Sequence, residues 1–191
     1  LVASNSWTVC ASLLLLFGAY GAGIAPATKA AETASTGGGG GAGAVINALQ
    51  PKAGESIAIF GAGTVGLSAV MAARLCGCAT IIAVEPLAAR RQLALSLGAT
   101  HAVAPSEDEP VEKIRAITGS GVNYSLECTG LPQVVRQAVD SLTLTGTCGV
   151  MGVSRLGTEI TLDMNNIMFG RGLRGINWQR GNNQALTNLE V

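Results

Sequence analysis

The sequence predicts an α/β fold, a doubly wound parallel sheet of six strands in the order 3-2-1-4-5-6, on three observations. Strand-length apolar runs alternate with helical patterns from about residue 42 onward. The first run, Ser56 to Phe60, passes directly into a glycine turn, Gly61-Ala62-Gly63-Thr64-Val65-Gly66, and a helix follows at once. The second run ends in an acid, Glu85. Strands separated by helices require crossover connections, which are right-handed and yield a parallel sheet.

The elements follow in order. Residues 1–40 stand apart from the rest. Their apolar run VCASLLLLFGAYGAGIA has about the length of a signal segment but no basic residue before it, and it is short and glycine-broken for a membrane span. Five consecutive glycines, Gly37 to Gly41, predict a flexible hinge. A short helix is expected over Ala44 to Leu49, ahead of Pro51, then the strand at Ser56 to Phe60 and a helix over Thr64 to Leu75. Next come a strand at Thr80 to Glu85 and a helix from about Leu87, closed by Gly98 as its C-cap. His101 to Ala104 reads as strand, Pro110 to Ile117 as helix, Tyr124 to Glu127 as strand and Leu131 to Leu142 as helix. Cys148 to Val153 and Leu173 to Trp178 complete six strands. The expected organisation is an N-terminal segment at 1–40, one α/β domain at 41–180 and a polar tail at 181–191.

Composition limits the function classes. The 191 residues, 48% hydrophobic and 13% charged, suffice for one α/β core and little more. Twelve basic against twelve acidic residues leave no basic stripe for nucleic acid. An odd count of five cysteines, Cys10, Cys76, Cys78, Cys128 and Cys148, mostly in apolar runs, predicts reduced thiols and a cytoplasmic protein rather than a disulfide framework. Cys76 and Cys78, at a helix end with no second pair elsewhere, read as structural.

The glycine turn is the candidate binding element. Gly61 permits the reversal out of the strand, Gly63 keeps a Cβ from between the backbone and a diphosphate, and Gly66 lets the helix pack closely. The helix opening at Thr64 aims unpaired N–H groups and the positive end of its dipole at the phosphates. Glu85, nineteen residues after Gly66, stands where an acid can accept hydrogen bonds from both ribose hydroxyls and repel a 2′-phosphate, which favours NAD over NADP.

Several segments, GAGAVINALQPKAGESIAIFGAGTVGLSAVMAARLCGCATIIAVE, LALSLGATHAV, GVNYSLECTG and GTCGVMGV, agree in order and spacing with a known family. They resemble the coenzyme-binding Rossmann domain of zinc-type, medium-chain alcohol dehydrogenases, especially the aryl and benzyl alcohol branch. The resemblance covers about Gly41 to Trp178. It implies that Gly61, Gly63, Thr64 and Gly66 hold the pyrophosphate and that Val65 lies behind the nicotinamide. Glu85 matches the family's ribose-binding Asp, and Arg90 a basic residue along the adenosine ribose. Thr129 and Gly130 match a loop near the adenine-side ribose and the nicotinamide. Met151 and Val153, with Ile176 and Trp178, fall where the family's backbone meets the nicotinamide ribose and carboxamide.

The departures from the family bear on activity. The family's catalytic zinc is held by an early Cys, a His-Glu pair and a further Cys, whose place here falls on Thr36. The one histidine, His101, reads as a strand-edge residue. The resemblance therefore implies an NAD(H)-binding domain for hydride transfer between an alcohol and NAD, without its own zinc ligands or substrate pocket. Two alternatives are a non-catalytic NAD(H)-binding or interaction module and, more remotely, an S-adenosylmethionine-binding domain. An outer strand exposes unpaired N–H and C=O groups. With the family's edge-to-edge dimers, this implies a homodimer through the Leu173–Trp178 strand.

Overall fold

Alternation along each strand sets up two buried faces, because successive side chains point to opposite sides of a sheet. In a computed structural model, which describes residues 39–105, 109–178 and 185–186, the strands are β1 (Ser56–Phe60), β2 (Thr80–Val84), β3 (His101–Val103), β4 (Val122–Glu127), β5 (Leu142–Val150) and β6 (Gly172–Gly175). They form one parallel sheet in the order β3-β2-β1-β4-β5-β6, as predicted. Ile57 and Ile59 of β1 point into one core layer together with Ile81 and Ala83 of β2; Ala58, Phe60, Ile82 and Val84 point into the other. Helix α2 (Thr64–Leu75) and Ala94 of α3 (Ala88–Leu97) cover the first layer, through Ala69, Val70 and Ala73 of α2. Ile114 of α4 (Pro110–Thr118) and Ala138 and Val139 of α5 (Pro132–Asp140) cover the second. The central strands are buried on both faces, as a parallel sheet requires.

Four local expectations are corrected. The glycine run is not a hinge where it is described. Gly39–Gly43 is helix α1, and it continues through a π-helical segment, Ala44–Leu49, that ends at Gln50 in the left-handed region. Gly40 and Gly41 are buried, so the run folds because packing against α2 compensates glycine's poor helix propensity. Strand β5 begins at Leu142, inside the range expected for the preceding helix, and stops at Val150, leaving Met151 to Val153 in a loop. A register shift between Val122 and Tyr124 makes room for the exposed Leu144 and for Thr145 at φ 64°. That is a strained conformation for a β-branched residue, and it interrupts the periodicity from which the strand would have been read. The expected sixth strand is shorter than Leu173 to Trp178: β6 ends at Gly175, and Asn177–Trp178 (β7) leaves the sheet to pair antiparallel with Ala185–Leu186 (β8). The expected polar tail thus contributes a strand. A short helix, α6 (Met164–Met168), also escaped the sequence reading; Asp163 caps it by accepting a hydrogen bond from the Asn165 N–H at 2.9 Å.

The apolar run before residue 26 and the position of Thr36 lie outside the described residues. Among the described residues no helix is long and apolar enough to cross a membrane.

Candidate dinucleotide site

The chain leaves β1 towards β2 on one side and enters β4 on the other, so the carboxyl ends of β1 and β4 flank the point where the strand order reverses. In open α/β sheets ligands bind in the crevice beyond that point. The glycine turn lies there, and its three glycines have three separate causes. Gly61 sits at φ 91°, and a Cβ on it would come 2.9 Å from the Thr129 methyl. Gly66 packs so tightly that a Cβ would lie 1.8 Å from the Gly61 carbonyl oxygen. Gly63 differs from both: its backbone is extended (φ −75°, ψ −168°), and an added Cβ would meet nothing within 4 Å. Neither conformation nor packing demands glycine at 63, and the open space in front of it fits a group from outside the chain. Thr64 and Val65 open α2 beside this space, with the helix's first amide groups turned to it.

Glu85 lies one residue past β2 and is 3% exposed. Its Oε2 accepts the Ala62 N–H at 2.8 Å, and Oε1 accepts the Leu87 N–H at 3.0 Å. The carboxylate thus ties the glycine turn to the start of α3. Each oxygen keeps a further lone pair that can accept a hydroxyl hydrogen. Arg90 reaches Glu85 only loosely, its Nη1 at 3.9 Å from Oε2 and its side chain half exposed. Arg91 instead donates to the Glu85 and Pro86 carbonyl oxygens at 2.9 and 2.6 Å.

The opposite wall is built from two loops. Thr129 and Gly130 follow β4, and Met151, Gly152 and Val153 follow β5. Gly130 has φ 74°, and a Cβ there would lie 2.5 Å from the Val153 carbonyl oxygen. A Cβ on Gly152 would lie 1.9 Å from the Gly130 nitrogen. Val153 is 91% exposed at the rim. Ile176 is buried, its N–H bonded to the Val150 carbonyl oxygen at 2.8 Å, so only its backbone can face the crevice. Trp178 belongs to the β7–β8 ribbon, a two-stranded sheet separate from the parallel one.

The remaining candidates sit elsewhere. His101 is exposed on β3, the outer strand, with Nδ1 2.9 Å from Thr100 Oγ1. Burial pushes the Cys78 thiol up to about 11, with Cys76 and Glu55 adding to the shift, so it is not a ready thiolate ligand. Among the described residues no three His, Cys, Asp or Glu side chains come together as a metal site. A shallow polar pocket of about 130 Å³ lined by Glu55, Asn123, Tyr124 and Thr147 lies at the amino ends of β1 and β4, the other end of the sheet from the glycine turn.

A family model described as zinc-binding dehydrogenase matches residues 64–189. The chain belongs to this family. It is 49% identical over 112 residues to geraniol dehydrogenase from Castellaniella defragrans, covering 58% of this chain and 30% of that one. Benzyl alcohol dehydrogenase from Acinetobacter calcoaceticus superposes with a TM-score of 0.72 at 43% identity, over 73% of this chain and 39% of that one. A zinc-binding dehydrogenase from Sinorhizobium meliloti, solved bound to NADP, gives 0.65 at 34% identity over 70% and 40% of the two chains. The chain thus spans about a third of the length of the curated relatives it matches.

Sequence reasoning missed one residue of the site. Glu127, fully buried at the end of β4, bonds the loop that carries Thr129 and Gly130. Its signal was present: an acid closing an apolar strand at the crevice, as Glu85 does after β2.

Proposed function

We propose that this chain is the NAD(H)-binding domain of an alcohol dehydrogenase-like oxidoreductase, which moves a hydride between an alcohol and NAD when joined to a catalytic domain. The observation that carries the reading is Gly63, a glycine needed by neither φ nor packing, at the switch point of the sheet and beside the buried Glu85. In this reading the diphosphate lies over Gly61, Gly63, Thr64 and Gly66, and the adenosine ribose between Glu85 and Arg90. The nicotinamide half runs past Val65 towards Thr129, Gly130, Met151, Val153 and the backbone of Ile176. A bound nicotinamide supplies the hydride chemistry; the chain's own residues bind and orient it.

The same reading takes the cofactor as NAD rather than NADP. Both Glu85 oxygens are anchored by amides, so the carboxylate cannot swing away from a 2′-phosphate. NADH is expected to bind more tightly than NADPH by about 1–3 kcal/mol, through ribose hydrogen bonds gained and like charge avoided. Fluorescence titration of both cofactors measures this, and equal affinities would take Glu85 out of the argument. A cytoplasmic location accords with the unpaired thiols of Cys76, Cys78, Cys128 and Cys148.

We further propose a homodimer formed at the β6 edge. β6 ends the sheet, and α6 and the turn after it expose Met164, Ile167, Met168 and Phe169, an apolar surface close in sequence to the open edge. Met168→Asp should convert a dimer to a monomer in sedimentation velocity at tens of micromolar, with little effect on the thermal midpoint because the side chain is 66% exposed. A wild-type chain that already sediments as a monomer defeats the idea.

A further inference from the structure

We infer that Glu127 is a positioning residue that joins the two loops on the far wall of the crevice, so that its loss separates recognition of the whole dinucleotide from recognition of its adenosine diphosphate half. The inference rests on the cofactor reading above.

Glu127 has no exposed surface, and a buried carboxylate is tolerated only where it is well bonded. Here the donors are all from one loop. Oε1 accepts the Thr129 N–H at 2.5 Å, the Thr129 hydroxyl and the Gly130 N–H at 3.0 Å, while Oε2 lies 3.2 Å from the same Gly130 nitrogen. The residue's main-chain oxygen turns to the second loop, accepting the Met151 and Gly152 N–H groups at 2.9 and 3.2 Å. The side chain thus fixes one loop and the backbone the other.

The two loops lie directly against each other. A Cβ on Gly152 would come 2.6 Å from Glu127 Oε2 as well as 1.9 Å from the Gly130 nitrogen, so the carboxylate, Gly130 and Gly152 are in direct contact. Ser154 Oγ adds a bond to the Gly130 carbonyl oxygen. The loop fixed by the Glu127 carboxylate packs against the Val153 backbone, whereas the glycine turn and the start of α3 are tied together by Glu85. Two buried acids at the ends of β4 and β2 therefore hold opposite halves of one site. An amide in place of the Glu127 carboxylate keeps the size but loses charge and one acceptor face, and its NH₂ group would point at an N–H.

The test uses the whole chain and two ligands, NADH by fluorescence and ADP by its displacement of NADH. Glu127→Gln is expected to lower NADH affinity about tenfold or more, the effect of losing a hydrogen bond to a charged group, and to leave ADP affinity within about twofold, inside the spread expected where no contact is lost. Thr129→Val, which removes one donor and leaves the carboxylate in place, should show the same selective loss to a smaller extent, and it decides the matter if Glu127→Gln does not fold. Equal weakening of both ligands in a folded variant, or no weakening of NADH, overturns the inference. A wild-type chain that binds neither ligand overturns the cofactor reading instead, so the two failures are distinguishable.

Discussion

Gly63→Val is expected to bind neither NADH nor NADPH while keeping its fold. An extended backbone at φ −75° and ψ −168° suits a β-branched residue, and the new side chain enters space that no atom of the chain occupies within 4 Å of its Cβ. The Leu67 N–H to Gly63 carbonyl bond at 2.9 Å uses only main chain and survives. Gly63 is the N-cap of α2 without a side-chain cap bond, so valine there should cost no more than about 1 kcal/mol of stability. The added methyl groups nevertheless fill the cradle in front of the α2 amide groups, where the diphosphate lies in the proposed reading. Loss of contact with those amides should lower affinity by more than about 100-fold, some 2.7 kcal/mol. Titration of intrinsic NADH fluorescence, with the thermal midpoint as the control for folding, checks both halves of the expectation. Unchanged binding in a folded variant would remove the glycine turn as the seat of the cofactor.

Elements in which local pattern and tertiary packing agree were legible in the sequence. Ser56 to Phe60, Thr64 to Leu75 and Thr80 to Val84 lie where periodicity placed them, because two-sided burial makes a continuous apolar run and the intervening helix carries good helix formers. Alternation and crossover rules implied a parallel sheet, and the glycine turn after the first strand pointed to the doubly wound order that the sheet shows. The misread stretches are those where tertiary structure overrides local preference. Gly40 and Gly41 are helical because their missing side chains let α1 lie against α2, a reason invisible in a composition that otherwise means flexibility. Thr145 at φ 64° breaks the β5 pattern from within. Glu127 was passed over since a strand-ending acid gains its meaning only from the amides that fold back upon it. Glu85 was found because its spacing from the glycine turn flagged it.

The glycine run supplies the second large effect, and two of its neighbours should respond with opposite sign. Gly41→Ala places a Cβ 1.9 Å from the Val65 carbonyl oxygen and 2.5 Å from Ser68 Oγ, which itself donates to Val65 at 2.8 Å. The nearest obstacle is backbone of α2, so it can be relieved only by moving one helix away from the other. Overpacking of that kind costs about 1–3 kcal/mol, and the upper end applies where main chain is struck. Gly43 lies two residues on, in right-handed helical conformation (φ −61°, ψ −38°), and a Cβ there would meet only the Asn47 side-chain amide, at an ordinary 3.8 Å. Gly43→Ala should therefore stabilise the domain by up to about 1 kcal/mol, through the restricted unfolded chain and the better helix propensity of alanine. Urea unfolding at a constant slope measures both. A helix seated on α2 predicts midpoints moving in opposite directions, whereas a flexible linker predicts that neither moves; two neutral substitutions would return the glycine run to the hinge its composition implies.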